Sequence, residues 1–172
     1  GVFPRASCAA VKQVHQLWEL DAQGAVAVDQ LGFHAMINIK DHLSRTYCMS
    51  FPVPVKSSRS QPATRHYQYS CRLAFEEFGR PDQIQVDRDS IFFDNTSKSP
   101  FPTRFHLWLI GLGIDLCIIS QKPPSKQAIV ERAHQTMEKQ VLQDKGIPHW
   151  KALFTSCNKR RHRLNYYLPC RS

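Results

Sequence analysis

What this chain of 172 residues lacks excludes several kinds of protein. Its six cysteines, Cys8, Cys48, Cys71, Cys117, Cys157 and Cys170, include no Cys-x-x-Cys pair, and no secretory signal precedes them. They read as reduced thiols of a cytosolic protein, with Cys71 and Cys117 expected in the core. The eight histidines are scattered, and none stands at a spacing to cysteine that suits zinc. The longest apolar stretch, Leu107 to Ile119, is broken by Gly111, Gly113 and Asp115 and is too short to cross a bilayer. There is no internal repeat and no low-complexity block. Acidic residues are scarce, 14 against 23 Lys and Arg, and from Lys151 to the end there are none.

That scarcity sets a net charge of +9 and a pI near 9.5, which favours a polyanionic partner. The most concentrated basic surface is expected in the tail, at Lys151, Lys159, Arg160, Arg161, Arg163 and Arg171. Length and 42% hydrophobic content fit one domain with a real core. Residues 1–16 read as a linker, 17–168 as the core domain and 169–172 as a tail.

Periodicity gives a coarse fold. Strand signals run over Leu17–Asp21, Ala35–Lys40 and Thr46–Val55, an antiparallel meander ended by Pro52, Pro54 and a serine-rich turn. A helix follows with Ala63, Tyr67, Cys71, Ala74 and Phe78 on one face and Gly79 as its stop. Strand Ile84–Asp87, a second helix carrying Phe101, Phe105, Trp108, Leu109 and Leu112, and strand Leu116–Ile119 come next. A third helix is predicted from Lys126 to Asp144, with Val130, Ala133, Met137 and Val141 as its stripe. A fourth, Pro148 to about Arg163, turns Trp150, Leu153, Phe154 and Cys157 inward. A meander followed by alternating helices and strands argues for an α/β fold with a mixed five-stranded sheet flanked by helices.

Three carboxylates stand out. Asp21 closes the run Leu17-Trp18-Glu19-Leu20, Asp87 closes Ile84-Gln85-Val86, and Glu131 lies in the first turns of the third helix beside its apolar stripe. Two strand-end aspartates and a helix glutamate suit a pair of Mg²⁺ ions, because hard cations take oxygen ligands and leave positions open for phosphate and water. Phosphoryl transfer on nucleic acid is the chemistry this set predicts. Each has a blander reading: a strand-end cap for Asp21, a solvated helix face for Glu131. Asp29 and Asp41 compete with Asp21, but Asp29 sits in a loop and Asp41 suits a turn in which it and Ser44 satisfy backbone donors. Asp89 competes with Asp87 and is kept as an alternative or supporting ligand. His134, one turn past Glu131, could approach the site, though an exposed helix histidine is the simpler reading.

Taken in order, the motifs Trp18-Glu-Leu-Asp21, Asp41-His-Leu-Ser44-Arg45, Val86-Asp87-Arg-Asp-Ser, Gly113-Ile114, Pro123-Pro124 through Glu131-Arg132 and Asn158-Lys-Arg-Arg-His162 resemble those of the DDE transposases of bacterial insertion sequences. These are relatives of retroviral integrases with an RNase H-like catalytic core. The resemblance runs from about Trp18 to about Pro169. Where many members carry Asn-Gly after the second aspartate, this chain has Arg88-Asp89.

The resemblance implies an RNase H-like fold and a catalytic and metal-binding set of Asp21, Asp87 and Glu131 with two Mg²⁺ or Mn²⁺ ions. It also implies cleavage of DNA ends followed by strand transfer, with protomers pairing as a dimer or higher oligomer on DNA. Lys122, Lys126, Arg132, Lys139, Lys159, Arg160, Arg161 and Arg163 are the expected DNA contacts. Rival readings are a decayed core that only holds DNA, and a nuclease of the same fold that cuts without joining. The expected place of action is the bacterial cytoplasm, at the nucleoid.

Overall fold

Alternation of apolar and polar residues builds the centre of the molecule first. The computed structural model describes residues 9–87, 102–119 and 149–166. Strands β1 (Leu17–Val28), β2 (Gly32–Asp41) and β3 (Tyr47–Pro54) form the antiparallel meander, and β4 (Gln83–Asp87) and β5 (Asp115–Ile119) add in parallel. The sheet order is β3-β2-β1-β4-β5, so β1 lies in the middle and changes from antiparallel to parallel neighbours. This is the mixed five-stranded sheet that the sequence predicts.

Helices α1 (Thr64–Phe78) and α2 (Arg104–Gly111) cover one face of the sheet. Trp18, Leu20, Ile37, Ile39, Phe51, Ile84, Val86 and Leu116 point into that face and meet Tyr67, Cys71 and Ala74 of α1 and Phe105 and Leu109 of α2. Of the apolar stripes read from the sequence, Tyr67, Cys71, Ala74, Phe105 and Leu109 are buried and Phe78, Trp108 and Leu112 partly so, whereas Ala63 is exposed ahead of α1 and Phe101 lies outside the described residues. Thr103 caps α2, its Oγ1 accepting from His106 N–H at 3.2 Å. Gly79 takes φ +80° after α1 and donates its N–H to Phe75 O at 2.8 Å, the left-handed stop that glycine supplies. Cys48, Cys71, Cys117 and Cys157 are buried free thiols.

Helix α3 (Trp150–Tyr166) runs along the sheet edge and touches both core clusters. Leu153 and Cys157 pack with Val28 and Met36, while Trp150 and Phe154 reach Phe51. Strand β3 is that edge, and it tolerates Pro52 and Pro54 because a proline cannot donate to a second neighbour. Side chains of α3 bond some of its outward backbone groups. Asn165 accepts from Tyr47 N–H at 2.8 Å and donates to Tyr47 O at 2.9 Å, and Trp150 donates to Pro52 O at 2.9 Å. Covering an edge in this way makes it a poorer template for another strand.

Two sequence expectations change. Strand β1 does not end at Asp21 but continues to Val28, because β2 supplies partners as far as Gly32 and a bulge between Gln23 and Val26 absorbs Gly24. Residues 9–16 are tied to the domain: Ala9 N–H donates to Gln83 Oε1 at 2.9 Å, and Gln16 O accepts from Asp82 and Gln83. The helix predicted over 126–144 lies outside the described residues. No helix among the described residues is long and apolar enough to cross a membrane.

Candidate active site

Parallel pairing of β1 with β4 puts the first two carboxylates on neighbouring strands, just past the last paired residues. Leu17 pairs with Gln83, Trp18 with Ile84 and Glu19 with Gln85, so each β4 partner stands 66 positions after its β1 residue. The same offset carries Asp21 onto Asp87, two residues beyond the last paired position. The paired register itself stops at Glu19 and Gln85, and past it Asp21 continues on β1 while Asp87 ends β4. Asp87 is still in the β4–β5 ladder, opposite Ile119, and is therefore held by the sheet.

Strand alternation decides where the aspartate points. Trp18 and Leu20 enter the main core, so Glu19 and Asp21 project from the other face of the sheet. Asp21 is half-buried and Asp87 exposed. Asn38, buried on β2, is the antiparallel partner of Asp21, and its Oδ1 accepts from Ser50 Oγ at 2.9 Å. Sequence reading missed Asn38 because its neighbourhood is set by β-pairing, which no local pattern reports.

Rival carboxylates are engaged elsewhere. Asp41 is fully buried and accepts from His15 N–H, Ser44 N–H and Ser44 Oγ at 2.7 Å each, the turn role expected of it. Glu19 pairs with His42 Nδ1 at 2.8 Å and with Arg45 at 3.3 Å. Asp29 begins a short 3₁₀ turn between β1 and β2.

Glu131, Asp89, His134, Lys122, Lys126, Arg132 and Lys139 lie outside the described residues. Among the described residues no group of three His, Cys, Asp or Glu side chains could hold a metal. Asp21 and Asp87 stand on neighbouring strands, and carboxylate oxygens are ligands that suit Mg²⁺ or Mn²⁺ and not a thiolate-loving ion.

The basic tail divides. Lys159 and Arg163 are exposed on α3. Arg161, expected against DNA phosphate, instead turns inward: it is 4% exposed and its Nη2 sits 2.9 Å from Glu77 Oε2 on α1. Its Nη1 also donates to Tyr47 O and Cys48 O at 3.3 and 3.2 Å. A guanidinium fork can serve a carboxylate and two carbonyls at once, which makes this arginine a clamp between α3, α1 and β3. Arg160 is half-buried, and its Nε and Nη1 are covered without a hydrogen-bond partner. Burial lowers its pKa from the ordinary arginine value, with Tyr47 and Cys157 opposing.

No family model matches the chain. Solved structures do share its fold. One is a chain of the simian T-cell lymphotropic virus intasome in complex with a PP2A regulatory subunit, with TM-score 0.61 and 15% identity over 95% of this chain and 53% of that one. Another is the HTLV-2 integrase catalytic core domain in complex with magnesium, in dimeric form, with TM-score 0.60 and 15% identity over 90% of this chain and 88% of that one. The BIV integrase catalytic core gives TM-score 0.57 and 15% identity over 89% and 85%. The chain spans about half the length of the intasome chain and most of each isolated core. Its mixed sheet and flanking helices have the RNase H-like fold of retroviral integrase catalytic cores.

Proposed function

We propose that this chain is the catalytic core of a DDE-type polynucleotidyl transferase, a transposase of the bacterial insertion-sequence kind, acting on DNA ends. The observation that supports the reading is the register of β1 and β4 within an integrase-type sheet, which, continued by two residues, would set Asp21 beside Asp87. Glu131 would complete the set from the segment that follows β5.

These three carboxylates would hold two Mg²⁺ or Mn²⁺ ions, which when bound supply an activated water or DNA 3′-hydroxyl and charge stabilisation at the leaving oxygen. An HTLV-2 core of the same fold was solved with magnesium, which supports that choice of ion. The protein's own part is positional. Asp21 and Asp87 project from a hydrogen-bonded sheet, so their backbones need not reorganise as the phosphate arrives. Two anionic groups side by side repel a phosphodiester until cations neutralise them, so activity should require divalent metal while DNA affinity should not. Lys122, Lys126, Arg132, Lys139, Lys159, Arg160 and Arg163 would hold the phosphate backbone, whereas Arg161 is committed to the fold. Pairing of two or more protomers on DNA follows from the need to act on two ends.

Cleavage and strand transfer with Mg²⁺, measured on candidate transposon ends, test the assignment. Asp21→Asn, Asp87→Asn and Glu131→Gln should each abolish both reactions and leave binding in EDTA unchanged or tighter. Asp89→Asn should lose far less than Asp87→Asn. Full activity in any of the three main variants would remove that residue from the site.

A further inference from the structure

On the α1 side of the sheet, away from the face that carries Asp21, a groove of about 360 Å³ is lined by Phe51, Arg65, His66, Gln68, Tyr69 and Arg72. Five of the six come from α1, and Arg65, Tyr69 and Arg72 follow the i, i+4, i+7 spacing that places them in one stripe on a helix. Tyr69 is 51% exposed, and its ring stands edge-on to Phe51 with centroids 5.4 Å apart, so it is propped open and not collapsed onto the helix. Phe51 is itself fixed edge-on by Trp150 and Phe154. The guanidinium of Arg72 lies over Trp108 at 5.9 Å. Among the described residues neither Arg65 nor Arg72 has an ion-pair partner, and no acidic residue lines the groove.

An exposed ring between two cations on one helix face has a matching ligand chemistry. Seven residues of helix advance about 10 Å, so the arginines are spaced to grip phosphates on either side of a base. Aromatic rings bind unpaired bases of any sequence by stacking, and arginines beside them add charge attraction and stacking of their own. An acidic peptide would use the cations but leave the half-exposed ring without a role. Gln68 adds a donor and an acceptor within reach of a base edge. The stripe stops at Glu76, one turn beyond Arg72, which limits the groove to a few nucleotides.

We propose that the groove formed by Arg65, Tyr69 and Arg72 over Phe51 is a second nucleic-acid site, one that holds a short unpaired strand apart from the carboxylate pair. The proposal rests on the reading of this chain as a DNA-processing core and adds to it a place for a displaced or frayed strand. Because the two sites lie on opposite faces of the sheet, each can be removed without the other.

Fluorescence anisotropy of a fluorescein-labelled dodecathymidylate in EDTA, titrated at several salt concentrations, tests it. Arg65→Ala with Arg72→Ala should flatten the plot of log affinity against log salt by about 1.4, at roughly 0.7 per lost phosphate contact on a single strand. Tyr69→Ala should weaken binding about tenfold without changing the slope, and Tyr69→Trp should restore it, which a merely structural ring would not predict. Asp21→Asn should leave this binding intact while abolishing end cleavage, so loss of cleavage alone bears on the catalytic reading and not on the groove. Equal binding by wild type and all groove variants, or no binding of the strand by wild type, overturns the proposal. Direct binding of labelled polyglutamate that disappears in the arginine variant, with strand binding untouched, also overturns it and assigns the groove to acidic peptides.

Discussion

Two adjacent arginines show how far side-chain environment separates residues of equal charge. Arg161 has every visible reason to be kept by the fold: a carboxylate, two carbonyls and almost no exposure. Replacing it with Ala leaves Glu77 and two edge carbonyls without their donor. Hydrogen bonds to charged groups contribute roughly 1.5–3 kcal/mol, and Glu77 is partly exposed, so a loss of about 2 kcal/mol in urea unfolding is expected. Lys at this position should recover little of it, having a point charge in place of a fork. Arg160 should behave the opposite way. Its covered Nε and Nη1 lack partners, so Arg160→Leu removes an uncompensated desolvation and should raise stability by about 1 kcal/mol. A melting temperature that falls in Arg160→Leu would show that its stem packing outweighs its orphaned donors.

At the level of helices and strands, two histidines make the fold sensitive to acid. His106 on α2 is 2% exposed, and burial lowers its pKa below 6.5 with Asp115 opposing. His66, whose Nδ1 accepts from Ala63 N–H at 3.0 Å at the start of α1, is lowered by burial and by Arg65. Folding favours the neutral form of both, whereas the unfolded chain takes up protons at the ordinary value of about 6.5. Stability is therefore complete above that pH and declines as pH falls through it toward the lower folded values. Melting temperatures followed from pH 7.5 to 5 should drop, and His106→Gln should lessen the drop. The helices were the most legible part of the sequence, since Tyr67, Cys71 and Ala74 or Phe105 and Leu109 announce their burial by spacing alone. Strand β1 was half legible. Trp18, Leu20 and Asp21 show its start, but its run to Val28 depends on β2 pairing across a bulge, a partner that local pattern does not contain. Arg161 was illegible for the same reason: its partner Glu77 is 84 residues away, and the sequence shows only a cationic cluster.

For the molecule as a whole, the proposed metal role of Asp21 and Asp87 should make metal and stability linked variables. With DNA present, Mg²⁺ should raise the melting temperature of the wild type, because a ligand bound to the folded state alone stabilises it by mass action. Asp21→Asn and Asp87→Asn should abolish that rise, and either variant should melt no lower than the wild type in EDTA. Differential scanning fluorimetry with and without Mg²⁺ decides this. The buried thiols give a second global property. Burial pushes Cys48 and Cys157 up to about 12, so both stay protonated where the unfolded chain ionises near 9. Stability should hold below about pH 9 and fall as pH rises from there.

The sheet order also sets a sequence of events in time. Strands β1, β2 and β3 are joined by short connections and can pair as soon as they exist, whereas β4 must return from beyond α1 to reach β1. Contacts between distant residues carry a larger loop-closure cost and form later than local ones. Asp21 is therefore expected to be in place on the meander while Asp87 is still on an unpaired stretch of chain, and the two come onto neighbouring strands only when the centre of the sheet closes. Under the proposed function, a polypeptide emerging during synthesis should carry an incomplete carboxylate set, and no reactivity, until β4 has docked and Glu131 has followed it.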